Sequence, residues 1–173
     1  MNSYTDRGHP PSEYQENLEI LLQIPVFSGL PMEAQKVLAY LCTREVFKPG
    51  EFLFTEGDMD EHAYFILEGK AGLMLTVDGT SEQVREYGES TFLGGLSLLC
   101  PAKRLYSLKA LTRMRCVIFA RDKFQRTLEQ FPDLARMVIQ EICTLIHQWE
   151  SSLIVEHARH CPGCRGNVGV SLI

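Results

Sequence analysis

The spacing of hydrophobic and polar residues changes twice along this chain. At first it is helical. Between Glu13 and Ile24 the apolar positions Leu18, Leu21, Leu22 and Ile24 share one face of a short helix, which Pro25 stops. Pro31 suits a first helical turn, and Ala34, Val37, Leu38 and Leu41 supply the apolar face of a second helix ending near Leu41. From residue 43 to 120 the runs become short and often alternate, and glycine recurs between them. This pattern predicts strands over 44–47, 52–55, 63–67, 72–77, 82–87, 105–110 and 115–119. Asp78-Gly79 between two such runs is a hairpin turn signal.

After Arg121 the helical period returns. Phe124 and Leu128 share a face until Pro132, and a long helix then runs over 133–160. Its apolar stripe includes Leu134, Val138, Ile142, Leu145, Ile146, Trp149 and Leu153. A helix of that length outruns the edge of a small roll, so part of the stripe needs another partner, most simply the same helix in a second chain. The alternative is a helix folded back over its own roll. The expected fold is mainly β with flanking helices: a double-stranded β-helix, or jelly roll, with a long C-terminal helix. Residues 1–12 form a flexible arm, 13–132 the roll with its N-terminal helices and first C-terminal helix, 133–160 a dimerisation helix, and 161–173 an irregular tail.

Composition narrows the function classes. The chain has 173 residues, 45% hydrophobic and 23% charged, with a net charge of -5. That suits an ordinary globular domain and leaves no basic footprint for nucleic acid. No apolar run is long enough to span a bilayer, and the N-terminus lacks the basic and apolar regions of a secretory signal, so a cytoplasmic location is expected. Of the six cysteines, Cys42, Cys100, Cys116 and Cys143 are scattered among apolar neighbours as small core residues. No spacing suggests a nucleophile–base pair or paired carboxylates, so no enzyme is expected. The acidic run Glu56, Asp58, Asp60 and Glu61 reads as a solvated turn, and His62 and His147 as lone histidines rather than ligands.

Three stretches carry a resemblance. They are Ile24-Pro-Val-Phe-Ser-Gly-Leu30; then Phe47-Lys-Pro-Gly-Glu-Phe-Leu-Phe-Thr-Glu-Gly-Asp58 with Ala63-Tyr-Phe-Ile-Leu-Glu-Gly69; and Phe92-Leu-Gly-Gly-Leu-Ser-Leu-Leu99 with Arg104 five residues on. In order and spacing they closely resemble the cyclic-nucleotide-binding domain family, which includes the catabolite activator protein and the regulatory subunits of cAMP-dependent protein kinase. The resemblance covers roughly 18–156. It implies an eight-stranded roll with a short helix over 94–99, whose N-terminal amides face a cyclic phosphate. Arg104 falls where the family's arginine meets that phosphate, a geometry suited to two parallel charge-assisted hydrogen bonds. The implied ligand set is Gly94, Gly95, Leu96, Arg104, Tyr106 and Ser107. Two positions depart from the pattern. Gly95 stands where the family's acidic residue receives the ribose 2′-hydroxyl, and Tyr106 stands where the family has a small residue. Losing the charge-assisted hydrogen bond at the first position costs about 1.5–3 kcal/mol.

The stretch His157-Ala-Arg-His-Cys-Pro-Gly-Cys164 gathers two imidazoles and two thiols. Cys161 and Cys164 have the spacing that lets two thiolates share one tetrahedral metal, and His157 lies four residues before Cys161, so a zinc site completed by a second chain is one reading. A thiol–disulfide switch is another. A helix stop at Pro162-Gly163 with incidental thiols is a third.

The leading functional expectation is a homodimeric regulatory module. It would take a cyclic nucleotide or another small anionic effector and signal through its C-terminal helices to an unidentified protein partner. The rivals are a ligand-free scaffold and a metal- or redox-responsive switch. With about thirteen residues after the long helix, no room is expected for an appended helix-turn-helix, so neither direct nucleic-acid binding nor membrane contact is expected.

Overall fold

The computed structural model describes residues 12–160, with side chains as far as Ser152. Three helices come first: α1 Glu13–Gln23, α2 Pro25–Ser28 and α3 Met32–Leu41. Ser12 caps α1. Its hydroxyl accepts from the Gln15 amide while the Gln15 side chain accepts from the Ser12 amide, a reciprocal capping box. Pro25 ends α1 as expected but also opens α2, because its fixed φ suits a first helical turn. The buried Gln35 side chain of α3 holds that turn, donating to the carbonyls of Phe27, Ser28 and Leu30 at 3.0–3.2 Å. On α1 the buried set is Asn17, Ile20 and Leu21, while Leu22 is exposed, contrary to the face expected from spacing. Asn17 turns inward because its Oδ1 accepts from Arg44 at 2.8 Å.

Eight strands follow: β1 Thr43–Phe47, β2 Phe52–Phe54, β3 His62–Glu68, β4 Ala71–Val77, β5 Thr80–Tyr87, β6 Phe92–Leu93, β7 Ser107–Ala110 and β8 Met114–Ala120. They form two four-stranded antiparallel sheets, ordered β1-β8-β3-β6 and β2-β7-β4-β5. This is the expected jelly roll. The β4–β5 hairpin turns on Asp78 and Gly79, both at positive φ (50° and 78°). That is the signature of a two-residue primed turn, whose twist matches the strands. A 3-10 helix, Gly95–Leu98, links β6 toward β7, and α4 Arg121–Gln130 and α5 Asp133–His160 close the chain.

Two cores result. One lies inside the roll, around Phe54, Tyr64, Ile66, Leu108 and Met114. The other joins the β3–β8 face to the helices, where Phe27 packs within 5.2–5.9 Å of the rings of Phe92, Phe119 and Phe124. Leu134 and Val138 of α5 are buried in this second core, but farther along the same helix Ile139, Leu145, Ile146 and Trp149 are exposed. Leu98 of the 3-10 helix is buried in this second core, while Leu93 just before it belongs to the first, and that junction places the site described next.

Candidate functional site

Gly94 opens the 3-10 helix in the left-handed region, at φ 79°. A side chain there is excluded twice over. The backbone conformation favours glycine, and a Cβ would lie 2.6 Å from Nη1 of Arg104. The guanidinium therefore rests directly against the start of the 3-10 helix, ten residues away in sequence. Arg104 is held there by its own backbone, whose amide donates to the Asp58 carbonyl at 2.9 Å and whose carbonyl accepts from Gly57 at 2.8 Å. Those bonds tie the segment before β7 to the β2–β3 loop.

The same loop supplies the counter-charge. Nε and Nη2 of Arg104 donate to Oδ2 of Asp60 at 3.2 and 2.5 Å, and Nη2 also donates to the His62 carbonyl at 2.5 Å. The guanidinium carbon lies 3.9 Å from the centroid of the Phe54 ring. Arg104 is thus a buried cation with a carboxylate on one side and an aromatic face on another. Nη1 makes no hydrogen bond to any described residue and keeps its donors for a further acceptor. Burial alone would push the Asp60 carboxyl up. The hydrogen bonds from Arg104 and then His62, together with their charges, outweigh it, and the net shift is downward. His62 Nδ1 lies 2.7 Å from Oδ1, and the Tyr64 hydroxyl lies 3.2 Å from Oδ2.

Asp60 corrects the expectation of a merely solvated acidic turn, while Glu61 keeps its side chain largely in solvent. The Asp60 side chain is 12% exposed, and Glu61 pairs with Arg121 at 3.0 Å. Asp58 accepts from the Thr55 amide at 2.9 Å and so shapes the loop that carries Asp60. Arg121, the first residue of α4, is a second buried arginine that sequence reasoning did not single out. Its guanidinium donates to the Ser97 carbonyl of the 3-10 helix and to the Asp60 carbonyl at 3.3 Å. Two arginines therefore bracket one loop and one 3-10 helix. The signal for Asp60 and His62 lay in the stretch after Phe54, but nothing in the sequence aimed Asp60 at a side chain forty-four positions on.

The other expected ligand residues lie in three different surroundings. Tyr106 is half-buried inside the roll, its ring 5.5 Å from Phe54, which thus neighbours both Arg104 and Tyr106. Burial, and then the neighbouring Tyr87, push its hydroxyl pKa up. Ser107 is buried, and its Oγ accepts from the Glu56 amide at 2.8 Å. A Cβ on Gly95 would meet the Phe92 ring at 2.8 Å, so that ring occupies the space a side chain there would take. Leu96 is 67% exposed and lines a hollow on the helical side of the 3-10 helix. Cys161, Cys164 and the His157 side chain lie outside the described residues. Among the described residues no three His, Cys, Asp or Glu side chains cluster as metal ligands, and no helix is long and apolar enough to cross a membrane.

The family model of the cyclic nucleotide-binding domain matches residues 44–131, half of the chain. The chain belongs to the cyclic nucleotide-binding domain family. Among its curated relatives, the cAMP-dependent protein kinase regulatory subunit of Emericella nidulans is 31% identical over 117 residues, 67% of this chain and 28% of that one. The potassium channel GORK of Arabidopsis thaliana is 25% identical over 126 residues, 72% of this chain and 15% of the channel. This cyclic nucleotide-binding domain thus spans less than a third of either relative. Among solved structures, the N-terminal domain of a transcriptional regulator from Streptomyces coelicolor superposes with a TM-score of 0.68 at 26% identity, over 78% of this chain and 94% of that one. A cyclic nucleotide-binding-like protein from Brucella abortus gives 0.61 at 28% identity, over 66% and 98%. These relatives are regulatory subunits, channels and regulators, and none of them is named as an enzyme acting on the nucleotide.

Proposed function

We propose that this domain is a regulatory sensor whose effector presents an anionic group, foremost a cyclic phosphate, to Arg104 and to the backbone at Gly94, Gly95 and Leu96, with Tyr106 and Ser107 at the inner wall. One observation carries the reading: a buried guanidinium packed against the left-handed start of a 3-10 helix, with Nη1 unpartnered among the described residues. An anion seated there would meet Nη1 and the amides of the 3-10 helix together. The site does no chemistry. It shifts the balance between placements of α4 and α5, because the 3-10 helix, the Asp60 loop and α4 meet at Arg121. α5 passes that placement to a partner protein, and its exposed apolar Ile139, which lies outside the hollow beside Trp149, suits pairing with a second copy of the chain. Cys42, Cys100, Cys116 and Cys143 are free thiols, which suits a reducing, cytoplasmic setting.

Titration calorimetry with cAMP, cGMP and cyclic dinucleotides tests the proposal. At least one binds with one-to-one stoichiometry, and Arg104→Lys, which keeps the charge but loses the planar fork, weakens it at least tenfold. Absence of binding for all of them, or equal binding by the variant, defeats the anion-sensor reading.

A further inference from the structure

The helical side of the 3-10 helix carries a hollow whose lining includes neither Arg104 nor Asp60. It has a volume of about 310 Å³ and lies between α2, the 3-10 helix and the middle of α5. Its walls are built from apolar side chains, among them Val26, Phe27, Leu96, Ile142, Ile146 and Trp149. Among the described residues no charged side chain lines it, and the Trp149 indole is the one side-chain hydrogen-bond donor in its walls. Helix α5 explains the opening. Leu134 and Val138 sink into the core, but beyond them the apolar stripe runs out over the groove, so Trp149 (61% exposed) and Leu96 (67%) face solvent across it.

From this geometry we infer that the hollow is a binding site for one small, uncharged, apolar molecule of the medium-chain alcohol or acyl type. Size and charge select that occupant. The volume is at the lower end of the range for small-molecule pockets, about 300–1,000 Å³. A protein partner needs roughly 800 Å² of surface on each side, far more than these walls offer. A charged head within the walls would lose its hydration with no partner to replace it. Besides α2, the 3-10 helix and α5, Phe92 of β6 and Phe124 of α4 contribute to the lining, so a bound molecule would be enclosed on more than one side. The inference does not rest on the anion site, although the 3-10 helix is a wall common to both.

Trp149 is the single tryptophan of the chain and reports occupancy directly. Decanol titrated into the full chain shifts Trp149 emission to shorter wavelength and saturates at one equivalent. Ile146→Glu on α5 and Leu96→Glu on the 3-10 helix, two exposed positions on opposite walls, each weaken the response at least tenfold. Ile139→Glu, on α5 but outside the hollow, leaves it within twofold of the original. Three results overturn the inference: no saturable change, a response that survives both wall substitutions, or sedimentation showing that a second copy already covers Trp149 and decanol has no effect.

Discussion

The Arg104–Asp60 pair is the charged centre of the site, and its worth to the fold can be measured. Replacing Arg104 by alanine removes both hydrogen bonds to Asp60, the one to the His62 carbonyl and the stacking on Phe54. The Asp60 carboxylate is then stranded at 12% exposure, with only His62 and Tyr64 beside it. Breaking a buried pair from one side costs about 3–5 kcal/mol. Asp60→Asn keeps the shape but loses a charged acceptor, at about 1.5–3 kcal/mol. The double substitution strands no charge, so it costs less than the sum of the two, with a coupling of about 2 kcal/mol. Urea unfolding of the four proteins at neutral pH closes the cycle. The pH dependence supplies a second arm. The folded-state pKa of Asp60 lies below its unfolded value of about 3.9, so the stabilisation is complete above the unfolded value and is lost as pH falls through the folded one. Arg104→Ala therefore loses part of the steepness of acid unfolding below about pH 4. Single-mutant costs that add to within about 0.5 kcal/mol would show that the two side chains do not stabilise each other.

Two further outcomes follow from the same geometry. Gly94→Ala, forced to φ 79° with its Cβ 2.6 Å from Nη1, destabilises the fold by about 1–3 kcal/mol and weakens any anion bound at Arg104; unchanged thermal unfolding would contradict the packing described here. With Cys161 and Cys164 changed to serine, a thiol reagent modifies the exposed Cys100 and Cys143 promptly. Cys42 and Cys116, whose pKa values burial pushes up to about 12, react only on unfolding; four fast thiols in the native protein would refute that burial.

The roll was legible because its signals are local. Alternation marks half-buried strands, and the Asp78-Gly79 turn states its own geometry. The long helix declared itself by its stripe, and the described residues are helical over Asp133–His160. Where the reading failed, the deciding contact lay far away in sequence. The strand expected over 105–110 begins only at Ser107, because Arg104 is tied to the loop at Gly57 and Asp58 and leaves Leu105 81% exposed. β6 is two residues long and has no periodicity to detect. Asp60 and Glu61 share a charge run with Glu56 and Asp58. Spacing cannot distinguish a carboxylate that meets a buried arginine from one that faces water, because the partners are forty-four and sixty residues away.

The position of Asp60 also constrains how any effector gains affinity. A lone buried arginine would offer an anion a full charge at low dielectric, but this one is already paired with a carboxylate at 2.5 Å. An arriving phosphate therefore meets a near-neutral pair, and its attraction to Arg104 is offset by repulsion from Asp60. The gain must come from elsewhere. The amides at the start of the 3-10 helix and the free Nη1 can hydrogen-bond it, and the body of the ligand can bury apolar surface against Tyr106 and Phe54. Gly95 has no side chain to accept from a hydroxyl, and a Cβ there would lie 2.8 Å from the Phe92 ring, which packs with Phe27 and Phe119. If the domain is the anion sensor proposed above, its effector is selected by an anionic group and an apolar body more than by sugar hydroxyls.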